Sequence, residues 1–272
     1  MTATAPEREL TTEEKLLAHR EGGVAHIIFN NPKKMNAVSL DMWERMIGLL
    51  EDYAKDPNLR VLVVSGAGGK AFVSGADISK FEQTRSTPEA VAKYGNTSIK
   101  AYEVLYNFPK PTIAKIQGYC IGGGANLAVC CDVRVATETA KFGIPAARLG
   151  LGYGYPGVRR LAEIVGVSRA MEMFYTARQY SAREALDMGL INQMVPEAGL
   201  DAAIATMTGQ ISENAPLTIA TIKAVAREIG RPASERDHAR LDAMVQACFD
   251  SADYIEGRRA FMEKRKPQFK GR

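Results

Sequence analysis

Apolar positions along the chain come in short runs divided by glycine, proline and asparagine, and the rhythm changes near residue 197. Val24–Phe29 reads as a strand that Asn31-Pro32 ends. Ser39 or Asp41 can cap a helix whose apolar face is Trp43, Met46, Ile47 and Leu50, the 3.6-residue period. Residues 59–65 form a buried strand, and Gly66-Ala67-Gly68-Gly69-Lys70 follows it. That stretch has the look of a phosphate loop, but Ala71 takes the Ser/Thr place, so a turn is the better reading. Strands and helices alternate through Thr137, which predicts an α/β core of repeated ββα units. After Pro196 the pattern is helical only. Leu200, Ala203, Ile204, Met207 and Ile211 make one apolar stripe, and residues 216–229 and 235–249 follow as further helices. A boundary near 197 therefore separates a core from a helical appendage, and these helices offer more apolar face than a small appendage can bury alone.

The centre of the pattern is the apolar strand Thr112–Ile116, which runs through Gly118 into Gly122-Gly123-Gly124 and then into an Ala/Leu/Val segment of helical character. A strand feeding a glycine-rich turn at a helix start presents bare backbone N–H groups at the positive end of the helix dipole. Such a place can hold a phosphate, a carboxylate or a developing oxyanion, and the glycines alone do not choose. Ala125-Asn126 stands where the nucleotide-triphosphate loop needs GK[ST], and Leu127 stands where the dinucleotide fingerprint needs its third glycine. Both nucleotide readings are disfavoured, and a packed structural turn remains the alternative.

Composition narrows the class. The 272 residues are 46% hydrophobic, enough for one core with an appendage. Thirty-five Lys+Arg against 31 Asp+Glu give a net charge of +4, with no long basic run before the C-terminus, which argues against a nucleic-acid partner. Cys120, Cys130, Cys131 and Cys248 lack metal-ligand spacing and read as small buried residues of a reducing compartment, so no metal is expected. The opening MTATAPERELTTEEK has no apolar run, so residues 1–19 are expected to be a loose segment, neither signal nor anchor. No stretch has the length of a membrane span, and a cytoplasmic protein is expected.

PKPTIAKIQGYCIGGGANLAVCCDVRVATETAKFGIPAARLGLG, residues 109–152, closely resembles the core signature of the enoyl-CoA hydratase/isomerase (crotonase) superfamily. The resemblance extends to NNPKKMNA from Asn30, FVSGADI from Phe72, SAREALDMGLINQMV from Ser181 and AFMEKRKPQFK from Ala260. It implies a spiral ββα core over 20–197 that binds acyl-CoA, and a helical trimerisation region over 198–272, assembled as a homotrimer or a dimer of trimers. It implies an oxyanion hole made by the backbone N–H groups of Ala76 and Gly123, which holds the thioester oxygen while an enolate forms. Lys33, Lys34 and Met35 match the segment lining the CoA channel, and Asp77 and Ile78 flank the hole. Phe261 and Lys264 match tail residues that meet the nucleotide end, although Lys264-Arg265-Lys266 taken alone is a solvated charge run. Coenzyme A enters as part of the substrate, with no permanently bound cofactor.

One departure bears on the reaction. Hydratases of the family carry two glutamates, and the matching positions here are Asn126 and Ala146. Asparagine can hold a water but cannot take its proton near neutral pH, and alanine offers nothing. The isomerases of the family also rely on a carboxylate. Replacements are sought in Glu82 and Arg85, whose segment borders the acyl pocket in the family, and in Tyr153 or Tyr155. A decarboxylase branch of the superfamily carries a site tyrosine in a similar L-G-x-x-Y context, and Tyr153 is the matching residue. Arg148 can meet an acidic substrate group or a surface carboxylate. Three functions stay open: a lyase or isomerase with relocated acid–base groups, a 2-carboxyacyl-CoA (methylmalonyl-CoA-like) decarboxylase, and a non-catalytic acyl-CoA-binding subunit. Decarboxylation needs an enolate sink but no base, and a site glutamate would repel the substrate's own carboxylate.

Overall fold

The computed structural model describes residues 10–77 and 87–272. In chain order the strands are β1 (Leu16–Glu21), β2 (Val24–Phe29), β3 (Val61–Gly66), β4 (Ala71–Val73), β5 (Thr112–Ile116), β6 (Tyr119–Ile121), β7 (Val133–Thr137), β8 (Lys141–Gly143), β9 (Tyr180–Ser181) and β10 (Gln193–Val195). They form a larger sheet in the order β1-β2-β3-β5-β7-β10 and a smaller one in the order β4-β6-β8-β9. Only the β1–β2 and β8–β9 pairs are antiparallel. The first unit places both of its strands, β1 and β2, in the larger sheet; the later ones place one strand in the larger sheet, the next in the smaller sheet, and then a helix. β3 and β4 lead to the helix Pro88–Tyr106, and β5 and β6 lead to the helix Gly123–Cys130. This is the α/β spiral of ββα units that the alternation predicts.

The larger sheet is covered on both faces, and period-2 alternation divides its side chains between two cores. Leu62, Val64, Ala114, Ile116 and Ala136 enter the main core. Val61, Val63, Ile113 and Val135 face the opposite way and meet Leu200 and Ile204, with Ala203, Met207 and Ile211 packed beside them. The stripe on the helix Leu200–Glu213 is thus covered by the sheet of its own chain. Exposed apolar side chains on the later helices include Ile222, Ile229, Phe249, Ile255, Phe261 and Met262.

On the main-core side, the helix Leu40–Lys55 buries Met42, Trp43, Met46, Ile47 and Leu50. Ser39 occupies its N-cap position without a side-chain cap bond. Trp43 meets Phe29 and Tyr102 edge-on, at centroid distances of 6.2 and 5.0 Å. Its Nε1–H donates to the Tyr94 hydroxyl (3.0 Å), which donates to the Val38 carbonyl (2.9 Å). One tryptophan therefore joins the helices 40–55 and 88–106 to the segment entering the site.

Three local expectations differ from the structure. Residues 11–19, expected to be loose, are ordered: Thr11 and Glu14 form a capping box on the helix Thr12–Lys15. Leu16, fully buried, then opens β1, which pairs with β2 across Gly22-Gly23. LLAHRE buries only Leu16 fully and exposes Leu17, His19, Arg20 and Glu21, so it carries no period-2 apolar signal. The strand expected over 59–65 begins at Val61. The helix expected over 235–249 begins at His238, where the Asp237 side chain accepts the Arg240 N–H at 2.9 Å. The stretch Gly66–Lys70 is a turn between β3 and β4, held by Asn36, whose amide donates to the Ala67 and Ala71 carbonyls at 2.9 and 2.7 Å.

Candidate active site

The site begins where two chain segments touch. After β4 the chain passes Ser74 and reaches Gly75, at φ +112°, and then Ala76. Val38 N–H donates to the Gly75 carbonyl (2.9 Å), and Asp77 N–H donates to the Val38 carbonyl (3.0 Å). This single bridge leaves the Ala76 N–H directed away from its partner. The second segment is β6 followed by Gly122, with φ +57°, at the N-cap of the helix Gly123–Cys130. The Gly123 N–H is the first of that helix and has no intrahelical partner. Among the described residues, neither the Ala76 nor the Gly123 N–H meets an acceptor.

The two segments are in van der Waals contact. A Cβ on Gly75 would lie 3.7 Å from Gly123 N, and one on Gly123 would lie 3.5 Å from Gly75 Cα. Gly124 is tighter still, since a Cβ there would stand 1.9 Å from the Val73 carbonyl oxygen. Glycine is required at 124 for the helix start to dock on the end of β4. The helix itself buries Gly124, Ala125, Leu127, Ala128, Val129 and Cys130, so its positive end reaches the site through apolar surroundings where fixed dipoles act strongly. Burial pushes the Cys130 thiol up to about 11, and Cys120 and Cys131 are raised for the same reason.

The enoyl-CoA hydratase/isomerase family model matches residues 19–272. This chain belongs to that family. Crotonyl-CoA hydratase of Syntrophomonas wolfei is 35% identical over 256 residues, covering 94% of this chain and 98% of that protein. Carnitinyl-CoA dehydratase of Escherichia coli K12 is 34% identical over 263 residues, covering 95% and 99%. Among solved structures, an enoyl-CoA hydratase/carnithine racemase from Magnetospirillum magneticum superposes with a TM-score of 0.90 at 34% identity, covering 95% of this chain and 96% of that one. The enoyl-CoA hydratase of Bacillus anthracis superposes at 0.89 with 30% identity, covering 95% and 100%.

Around the paired N–H groups of this enoyl-CoA hydratase/isomerase family chain, the positions named from sequence fall into three sets. Lys33, Lys34, Met35 and Asp77 lie beside Ala76: the Lys34 ammonium pairs with Asp77 at 2.9 Å, and the Met35 carbonyl accepts the Ser74 N–H at 3.1 Å. Asn126, Ala146 and Tyr153 lie on the side of the buried helix. A Cβ on Gly157 would stand 2.6 Å from Tyr153 Cε1 and 3.3 Å from Asn126 Oδ1, so both side chains rest on the same bare backbone. Asn126 Oδ1 is buried without a hydrogen-bond partner. Ala146 is buried in the short 3-10 turn Pro145–Leu149, and Pro145 Cδ comes within 3.8 Å of a Cβ placed on Gly122. Tyr153 packs edge-on against Phe174, with centroids 4.8 Å apart. Burial, with the Cys130 sulfur adding to it and Arg160 opposing, raises its phenol above the ordinary value.

The third set stands apart. Arg148 is exposed and has no ion pair among the described residues. Tyr155 is 77% exposed at the start of the helix Tyr155–Val165. Phe261 is 83% exposed, and Lys264 follows it at φ +51°. In the charge run, Arg265 pairs with Glu256 (2.6 Å) and Lys266 with Glu213 (3.0 Å), which leaves Lys264 as the member without an ion pair among the described residues. The tail is anchored through the Phe269 carbonyl to Arg60, at the opposite end of β3 from the turn that leads to Ala76. Ile78, Glu82 and Arg85 lie outside the described residues.

Sequence reading missed Tyr102. Its hydroxyl donates to the Gly123 carbonyl at 3.1 Å, fixing the first peptide of the buried helix, and burial holds the phenol well above its usual range. Tyr94, Tyr102 and Tyr106 recur at helical spacing on 88–106, and that spacing was the available signal.

Proposed function

We propose that this chain is an acyl-CoA lyase or isomerase that binds the thioester oxygen between the N–H groups of Ala76 and Gly123 and stabilises the enolate formed at the α-carbon. The observation that carries this reading is the pair of acceptor-free backbone N–H groups on two touching segments, one of them at the positive end of a buried helix. Donors fixed before the reaction stabilise developing charge without reorganising, and one such donor is worth about 3 kcal/mol in a dry site. Membership of the family supports the CoA thioester as substrate. Lys33, Lys34, Met35, Asp77 and Ile78 then border the CoA entry, with Phe261 and Lys264 offered from the tail. The coenzyme arrives as substrate, and no resident cofactor takes part.

Decarboxylation of a 2-carboxyacyl-CoA is the second reading, favoured by the setting of Asn126, Ala146 and Tyr153. In it the electrons of the breaking C–C bond flow to the thioester oxygen, carbon dioxide leaves, and the α-carbon is then protonated. The Tyr153 phenol, protonated near neutral pH, is a proton source without a charge. The unpaired Asn126 Oδ1 can accept a hydrogen bond from a water without charging the site against a carboxylate. Side-by-side assays of crotonyl-CoA hydration and methylmalonyl-CoA decarboxylation separate the two. Silence on a broad thioester panel with intact CoA binding favours an acyl-CoA-binding subunit instead.

We further propose a cytoplasmic homotrimer or homohexamer. Ile222, Ile229, Phe249, Ile255 and Phe261 supply apolar surface on the C-terminal helices for a second copy. Light scattering at micromolar concentration is expected to give three or six chains, and a stable monomer contradicts this.

Replacing Ala76 by proline removes one donor while circular dichroism reports on the fold. Turnover of the active thioester is expected to fall about 10²-fold or more; unchanged turnover overturns the oxyanion assignment. For the acid–base groups, native hydration of crotonyl-CoA is expected to be weak. Asn126→Glu with Ala146→Glu is expected to raise it, and each single change far less, because general acid–base help is worth about 10² to 10⁴ per group and paired groups act as a unit. Strong wild-type hydration that persists in Tyr153→Phe and Glu82→Gln contradicts the account of what was lost and what replaced it.

A further inference from the structure

A cavity of about 530 Å³ opens at the other end of the buried helix, between the end of the helix Pro88–Tyr106, the start of Tyr155–Val165 and the helix Pro216–Ile229. Its wall carries six basic side chains, Arg159, Arg160, Lys223, Arg227, Arg231 and Arg240, against two acidic ones, Glu103 and Glu228. Three of the guanidinium groups gather on one aromatic ring: Cζ of Arg227, Arg160 and Arg159 lies 3.7, 4.7 and 5.9 Å from the Tyr106 centroid. Like charges brought together in this way repel unless anions intervene.

Most of the carboxylates nearby are committed; Glu103, on the wall, is exposed and makes no ion pair among the described residues. Asp132 takes Lys223 and Arg227, each at 2.7 Å. Glu163 faces Arg159 at 3.6 Å, and Glu228 takes Arg231 and Arg240 at 3.1 and 3.4 Å. Arg160 is left over. It is 5% exposed, and among the described residues no carboxylate pairs with it. Its one acceptor is the Cys130 sulfur, 3.6 Å from Nη1, and its Nε has none. A guanidinium offers five N–H donors in a planar fork shaped for carboxylate or phosphate. A buried charge without a partner is strongly unfavourable, so this arrangement is built for an anion that the chain does not itself provide.

We propose that this cavity binds a small polyanion bearing carboxylate or phosphate groups, with Arg160 as its buried anchor and Arg240 at its rim. The volume lies in the usual range for a small-molecule site, about 300–1,000 Å³. The site is distinct from the paired N–H groups. Cys130, against which Arg160 rests, is seven residues along the helix from Gly123, about 10 Å at the helical rise.

Isothermal titration calorimetry on the full chain at constant ionic strength tests this, with pyrophosphate and citrate as probes and acetate as the monoanion control. Saturable binding near one site per chain is expected for at least one polyanion. Pyrophosphate alone identifies a phosphate ligand, citrate alone a carboxylate ligand, and both outcomes support the site. Arg160→Met and Arg240→Gln are each expected to weaken binding about tenfold or more. Without added anion, Arg160→Met is also expected to melt above the wild type, because it removes an uncompensated charge and keeps the apolar stem. The exposed Arg240→Gln keeps the test informative if Arg160→Met does not fold. No binding beyond the acetate control, or wild-type affinity in both variants, overturns the proposal. So does a fall in assembly mass on light scattering of Arg160→Met, which would show that a second copy supplies the missing anion.

Discussion

Everything at the candidate site depends on one close approach, that of Gly124 to the Val73 carbonyl. No side chain fits there, since even a Cβ would stand 1.9 Å from the oxygen. This contact sets the start of a buried helix directly on the end of β4, and the parallel β4–β6 pairing aligns the two segments that meet. Gly75–Ala76 and Gly122–Gly123 are brought together as a consequence, each with an N–H that no described acceptor takes. An exposed pair of such groups would be met by water and have little effect. Here six of the eight residues of the helix behind them are buried, so its dipole is less screened than at a surface.

Around this point the protein supplies position, and the side of the buried helix carries neutral groups while the Lys34–Asp77 pair stands on the side of Ala76. Tyr102 fixes the Gly123 peptide, and Trp43 and Tyr94 fix the helix that carries Tyr102. Asn126 and Ala146 put a neutral amide and a methyl group on the side of the buried helix, and Tyr153 adds a neutral phenol whose ionisation burial opposes further. In the proposed reaction such a site would stabilise an enolate electrostatically and leave proton movement to neutral groups. The charges gather instead at the far end of the same helix, where Asp132, Lys223, Arg227 and Arg160 surround its C-terminus.

Much of this was legible in the residues, for physical reasons. The strand β3 announces itself because a buried parallel strand needs a nearly continuous apolar run, and β2 by its alternating burial. The face of 40–55 follows from helical period, and the glycine run marks a place where backbone must come close. The N-terminal strand was less legible, since it is an edge strand whose outward residues, His19, Arg20 and Glu21, look like a solvated tail; its hairpin signal was Gly22-Gly23. The stripe from Leu200 to Ile211 was visible, but its partner was not. Periodicity tells that a face is covered, and only the fold tells that Val61, Val63, Ile113 and Val135 cover it. Arg160 was invisible as a buried unpaired cation, because burial and pairing arise from residues distant in the chain.

The most direct test of the central claim is a crystal structure of the protein bound to a stable acyl-CoA analogue. The thioester oxygen is expected to lie about 2.7–3.1 Å from the backbone nitrogens of both Ala76 and Gly123. An analogue bound with that oxygen elsewhere, and with the two N–H groups facing water, would contradict the account.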